Sequence, residues 1–284
     1  MESGIVVINK ESGMTSQNVV SKVKRILNVK KAGHIGTLDP LATGVLPVLV
    51  GNSTKMSKYL VEHDKTYVAI IKLGQKSETG DLEGKIVEEK EVNDLTEDMI
   101  NEVLERFKGK QKQAPHRYSA VKINGKKLYE YAREGLEVEI PTRDIEIYSI
   151  KLIKFDNKTK EVEFEVSCSK GTYIRVLCED IAKALGTVGY MKKLERTEVD
   201  NFTIEKAVKL DELTEENIIS VEELCEKYQR IDLNKRKLEL FLNGVRLTIN
   251  QNDGVYRVYS EKFIGLGIVK NKLLKRDIVI KHIL

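Results

Sequence analysis

The sequence predicts a mixed α/β (α+β) protein, a large domain followed by a small β-rich module, and three observations predict it. Runs of apolar or alternating residues at 5–9, 45–50, 67–73, 145–155 and 162–168 have the length and β-branched content of strands near a core. Stretches with helical apolar spacing and capping residues lie between them. Past residue 231 the pattern shifts to short strands separated by Asn-Gly, Asp-Gly and Gly-rich turns. With 284 residues, 41% of them apolar, the chain can bury a substantial core.

In chain order, Ile5 to Asn9 is a short apolar strand. After Gly13 the Thr15-Ser16 pair offers an N-cap to a helix with Val19, Val20, Val23, Ile26 and Leu27 on one face. Val45 to Val50 and Tyr67 to Leu73 read as strands. Asp94 begins a second helix, with Glu97 at capping-box spacing, Ile100, Val103, Leu104 and Phe107 as its buried stripe, and Gly109 as its end. Residues 111–140 mix Lys, Arg, Gln and Tyr with little periodicity and read as an exposed basic and aromatic insertion. Ile145 to Phe155 and Val162 to Cys168 form a strand pair. Lys170 to Arg175 then leads into a helix carrying Leu177, Ile181 and Leu185 and ending at Gly186. Residues 211–230 are acidic and read as helical, which places a domain boundary near residue 231: 1–230 and 231–284.

Bulk properties narrow the function classes. The cysteines, Cys168, Cys178 and Cys225, are odd in number and unevenly spaced, so neither a disulfide framework nor a zinc site is expected, and a reducing compartment fits. No apolar run approaches the roughly 18 residues of a membrane span, and the N-terminus lacks a signal pattern, so a cytoplasmic protein is expected. Four dispersed histidines, His34, His63, His116 and His282, give no ligand constellation, and no metal is expected. Net charge is +4, but residues 231–284 hold eleven Lys/Arg against five Asp/Glu, leaving 37 against 39 before them. A basic tail on a near-neutral body is the footprint of a polyanion partner, and equally that of a lysine-rich soluble surface.

The segment from Gly33 to Leu46, Gly-His-Ile-Gly-Thr-Leu-Asp-Pro-Leu-Ala-Thr-Gly-Val-Leu, singles out one carboxylate. Its glycines permit close backbone approaches, and Pro40 pushes Asp39 toward an extended conformation, so the loop presents Asp39 rather than burying it. An aspartate before proline is by itself more often structural than catalytic. Further on, Cys168 to Arg175 places Tyr173 and Arg175 two apart, able to share a face if the strand continues that far. A guanidinium beside a carboxylate holds it ionised and fixes its orientation, although a surface ion pair has the same spacing. Tyr67 and Tyr173 are flat surfaces suited to an extruded base, or simply packed tyrosines.

The Asp39 string resembles the signature of the TruB family of tRNA pseudouridine synthases. The resemblance extends in order through Ile8-Asn9-Lys10, Gly13-Met14-Thr15-Ser16, Lys65-Thr66-Tyr67, Leu73-Gly74 with Asp81 and Gly84, Tyr118 to Lys122, Cys168 to Arg175, and Leu194-Glu195-Arg196-Thr197. Ala114-Pro115 stands where the family often has two prolines, and Asp200-Asn201-Phe202 where glycine usually precedes the phenylalanine. The resemblance implies a pseudouridine synthase fold with a largely antiparallel mixed sheet, and a PUA-like module at 231–284. It implies isomerisation of the T-loop uridine conventionally numbered 55 in tRNA, without a cofactor or an obligate protein partner; a monomer is expected. Asp39 becomes the essential carboxylate, and Arg175 its ion-pair partner, keeping it anionic. Tyr67 becomes the stacking residue with a part in proton transfer, Tyr173 and Leu194 the pocket lining, and His34 the side chain that fills the space the target base leaves. Residues 111–140 match the family's RNA-binding insertion.

Three other functions compete. A guide-RNA-dependent rRNA pseudouridine synthase is the nearest, and Leu41-Ala42 after Asp39-Pro40 looks like the stand-alone type instead. Uridine C5 methylation needs a nucleophilic cysteine and a methyl-donor site, and neither is visible. An RNA-folding chaperone uses the same surface without chemistry.

Overall fold

The computed structural model describes residues 3–60 and 64–280. His63 and His282 lie outside the described residues. The main sheet is built in the spatial order Ile219–Ser220, Gly4–Lys10, Thr43–Val50, Gly189–Val199, Lys65–Leu73, Glu161–Cys168, Arg143–Asp156, Gly109–Gln113. The short strands Ala32–His34 and Phe202–Thr203 pair with Thr43–Val50 and Gly189–Val199. Among the described residues, every strand-to-strand pairing in this sheet is antiparallel except one: Glu195 and Arg196 lie parallel to Thr43 and Gly44. This matches the mixed, largely antiparallel sheet implied by the resemblance.

Helices Ser16–Ile26, Glu97–Glu105 and Ile174–Ala184 supply the apolar faces that cover the sheet. Val19, Val20 and Val23, Ile100, Val103 and Leu104, and Leu177, Cys178 and Ile181 pack in one core with Ile71, Phe164 and Val166. A second core joins Ile5, Val7, Val45 and Leu49 to Leu266 and Ile278, so the C-terminal strands dock on this sheet through continuous apolar packing. Lys58 and Tyr59 both reach Asp277 across the same junction, at 2.5 and 2.6 Å. The C-terminal sheet runs Gln229–Asp232, Gly254–Ser260, Lys262–Lys270, Leu273–Val279, Leu247–Thr248, with its own core around Phe241 and Val258.

Several local expectations need correction. The second helix starts two residues later than the Asp94 reading, because the Thr96 hydroxyl accepts the Met99 N–H at 3.3 Å and caps Glu97–Glu105. Gly109 does not end that helix but opens an edge strand of the sheet. Residues 211–230 are not one helix. Asn217 closes a single 3-10 turn on Thr214, Ile219–Ser220 adds a strand to the sheet, and only Val221–Leu224 is α-helical. Asn243-Gly244 is no hairpin turn: it terminates the helix Lys235–Leu242, with Gly244 at φ +84°. Tyr173 and Arg175 do not share a strand face, since the strand stops at Cys168 and the helix begins at Ile174.

Candidate active site

The Asp39 loop is held by groups that bind its backbone and leave its carboxylate free. The Ser16 hydroxyl donates to Leu38 O at 3.0 Å and accepts Leu38 N–H at 2.9 Å. Gly13 N–H donates to Pro40 O at 2.8 Å, and Ser12 Oγ to Leu41 O at 3.1 Å. Two buried cations complete the hold. Lys10, with no exposed surface, sends Nζ to Ala42 O at 2.6 Å and Pro40 O at 3.1 Å. Arg196, 1% exposed, donates to Val45 O at 2.8 Å, Gly36 O at 3.1 Å and Thr37 O at 3.5 Å. Gly44 is required where the loop re-enters the sheet: its φ is +98°, and a Cβ there would meet Arg196 O at 2.2 Å.

Asp39 opens into a cavity of about 930 Å³ whose lining includes His34, Tyr67, Tyr173, Arg175 and Leu194, the remaining residues singled out from the sequence. This volume lies in the range of a small-molecule or nucleotide site. Arg175 sits in the first turn of Ile174–Ala184 with its side chain 9% exposed, against 38% for Asp39. Its Nε is 3.3 Å from Asp39 Oδ2. Nη1 donates to Asp81 Oδ2 at 3.2 Å and Thr79 O at 3.1 Å, and Nη2 to Tyr118 O at 3.3 Å. One planar fork therefore joins the Asp39 loop, the Asp81 turn and the 111–140 segment. Asp81 is itself fixed by the Thr79 hydroxyl at 2.5 Å and Glu83 N–H at 3.1 Å.

Tyr67 is 7% exposed on the strand Lys65–Leu73; burial pushes its phenol up, and the positive charge of the Arg196 guanidinium opposes that shift. Burial, then the Arg196 charge, lowers the His34 imidazole and favours its neutral form. Its Nδ1 and the Ser119 hydroxyl are buried without a hydrogen-bond partner among the described residues, and both residues line the cavity. Burial also raises the Tyr173 phenol. Tyr173 is held through its backbone: Gln113 Oε1 accepts its N–H at 2.7 Å and Gln113 Nε2 donates to its carbonyl at 3.1 Å. His116 accepts Tyr118 N–H on Nδ1 at 3.2 Å, and burial beside Arg175 lowers it to about 4.

Sequence reasoning missed three of these roles. Arg196 and Lys10 appeared only inside motif matches, and Gln113 only as part of an exposed insertion, whereas it is 6% exposed. A lone buried cation carries no periodic signal; its partners here are carbonyls, which every residue has. The three cysteines are free and buried. Among the described residues no group of His, Cys, Asp or Glu is arranged to hold a metal ion, and no helix is long and apolar enough to cross a membrane.

Residues 24–174 match the model of the TruB family pseudouridylate synthase N-terminal domain, and residues 175–237 that of the tRNA pseudouridylate synthase B C-terminal domain. A tRNA pseudouridine synthase B of Clostridium tetani (strain Massachusetts / E88) is 43% identical over 277 residues, covering 93% of this chain and 95% of its own. One of Francisella philomiragia subsp. philomiragia is 40% identical, covering 99% and 97%. Among solved structures, a chain of a Cbf5-Nop10-Gar1 complex superposes with a TM-score of 0.67 at 26% identity, over 98% of this chain and 83% of that one. Fold and site together define a pseudouridylate synthase. The chain belongs to the TruB family.

Proposed function

We propose that the protein isomerises the T-loop uridine conventionally numbered 55 of tRNA to pseudouridine, acting alone, as a monomer, in the cytoplasm. The single observation that carries this reading is the Asp39 carboxylate, presented into a nucleotide-sized cavity with the Arg175 Nε 3.3 Å away. The name tRNA pseudouridine synthase B on relatives that match over most of both chains supports the tRNA substrate.

In the reaction the N1–C1′ bond breaks, uracil turns, C5 bonds to C1′, the C5 proton leaves for solvent, and N1 takes up a proton in its place. Atoms and electrons balance within the nucleotide, so the step calls for no redox partner or cofactor. Asp39 is the essential carboxylate, as nucleophile or as base at C2′. Arg175 orients it through a charge-assisted contact. Tyr67 stacks on the target uracil, Tyr173 and Leu194 wall the pocket, and His34 fills the space vacated by the flipped base. In this reading residues 1–230 are the catalytic domain, 111–140 its RNA-binding insertion, and 231–284 a PUA-like module for a second contact with tRNA.

The test is tritium release from a tRNA transcript labelled at uridine C5, with and without Asp39→Asn. About one tritium per tRNA, abolished in the variant, is expected from a single modified uridine. Tight binding without release supports the chaperone reading, and release only with guide RNA and partner proteins supports the rRNA enzyme.

A further inference from the structure

Between Glu11 and Asp39 the chain carries no Asp or Glu and five cations: Lys22, Lys24, Arg25, Lys30 and Lys31. Both ends of this stretch lie at the cavity. Thr15, Ser16 and Gln17 line it where the helix Ser16–Ile26 begins, and His34 lines it where the strand Ala32–His34 returns. The chain thus leaves the pocket along a helix and comes back along a strand, and all five cations lie on that excursion.

The helix buries Val19, Val20 and Val23, so Gln17, Ser21 and Arg25 fall on the outward side, one turn apart, with Lys24 half-buried beside them. From Gln17 to Arg25 is about 12 Å along the axis at the helical rise. Lys30 and Lys31 are exposed just before the return strand. None of the five takes part in an ion pair among the described residues. A helix dipole accounts for cations in a last turn, here Lys24 and Arg25, but not for Lys22 in mid-helix or for Lys30 and Lys31 beyond its end. Ordinary solubility is served by interspersed charges of both signs, and this stretch has one sign only.

We propose that this excursion is a phosphate track: it carries the backbone of the RNA strand leading to the pocket, with Arg25, Lys30 and Lys31 neutralising successive phosphates. The inference rests on the uridine-isomerase reading and adds to it the surface that seats the strand. Such contacts position the RNA without reading its sequence, so they set affinity and its salt dependence and leave the chemical step alone.

The experiment replaces three exposed cations together, Arg25→Gln, Lys30→Gln and Lys31→Gln, none of which touches Asp39 or its hydrogen-bond network. Binding of an unmodified tRNA transcript is measured against KCl concentration, and tritium release gives kcat and KM. The expected loss in the slope of log K against log salt is about 2 to 3, from about 0.7 to 0.9 per phosphate contact. KM should rise about tenfold or more near 0.15 M salt, with kcat within about twofold. A control set of exposed lysines that do not line the cavity, Lys151→Gln and Lys154→Gln on the strand Arg143–Asp156 and Lys158→Gln in the turn after it, should leave slope and KM unchanged. If the intact protein releases no tritium, the isomerase reading fails. If it does, and the triple variant keeps the parent slope and KM or loses only what the control loses, the track is wrong and the isomerase reading stands. A fall in kcat at unchanged slope also overturns the track.

Discussion

Replacing Arg196 with Met removes the cation that fastens the Asp39 loop to the sheet. Arg196 is 1% exposed and makes two well-formed hydrogen bonds to backbone carbonyls, 2.8 Å to Val45 and 3.1 Å to Gly36, plus a longer one of 3.5 Å to Thr37. Hydrogen bonds from a charged group contribute about 1.5–3 kcal/mol each, so the two good ones amount to about 3–6 kcal/mol. Methionine, apolar and of similar length, relieves the desolvation of a buried charge and returns part of that, which leaves a net loss of about 2–4 kcal/mol. Arg196 also stands opposite Tyr67 in the strand pairing, so the loop and Tyr67 lose a common neighbour, and a displacement near 1 Å at a reacting group costs about a hundredfold in rate. Urea unfolding gives the stability term, and tritium release under conditions where the variant is folded gives kcat. A variant within about 0.5 kcal/mol of the parent and within twofold of its kcat would show that the carbonyl claw around Arg196 does not hold the site.

Three further outcomes follow from the geometry. Arg175→Lys keeps the charge but loses the planar fork that spans Asp39, Asp81 and Tyr118 O, so kcat should fall about a hundredfold with KM for tRNA nearly constant; an unchanged kcat contradicts the bridging role. Gln113→Met removes both hydrogen bonds to the Tyr173 backbone and should lower kcat about tenfold, whereas in a Tyr173→Ala background it should add little; fully additive losses would show that Gln113 does not act through Tyr173. Burial lowers the Lys10 ammonium from 10.5 to about 8, so between those values the unfolded chain binds more protons than the folded one. The intact protein should therefore gain stability relative to Lys10→Met as pH rises from about 8 to about 10.5, and lose it as pH falls back through 8; a pH-independent difference in urea midpoint contradicts this.

The strands at 4–10, 43–50, 65–73, 143–156 and 161–168 were legible because burial on one or both faces of a sheet leaves apolar or alternating runs. The central strand Gly189–Val199 left no such trace. Its pairing with Lys65–Leu73 shifts register between Met191 and Lys193 and again between Arg196 and Glu198, so its inward residues do not alternate, and one of them is a charged arginine. The acidic stretch at 211–230 has the composition of a helix, but Thr214, Asn217 and Ser220 each engage backbone locally and cut it into short turns. At the site, Asp39 and Arg175 were visible through their motifs. The groups that fix the Asp39 loop and the Tyr173 backbone, Lys10, Arg196 and Gln113, bind backbone carbonyls and amides across distances in sequence of 30 to more than 150 residues, and such pairings leave no local pattern.

The central claim is that Asp39 isomerises one uridine in the T-loop of tRNA. The most direct measurement treats an unmodified tRNA transcript with the protein alone, derivatises it with carbodiimide, and maps pseudouridine by primer-extension stops. A single new stop at the T-loop uridine, absent with Asp39→Asn although that variant still binds, is the expected result. Stops elsewhere, no stop, or a stop that survives Asp39→Asn would contradict the account.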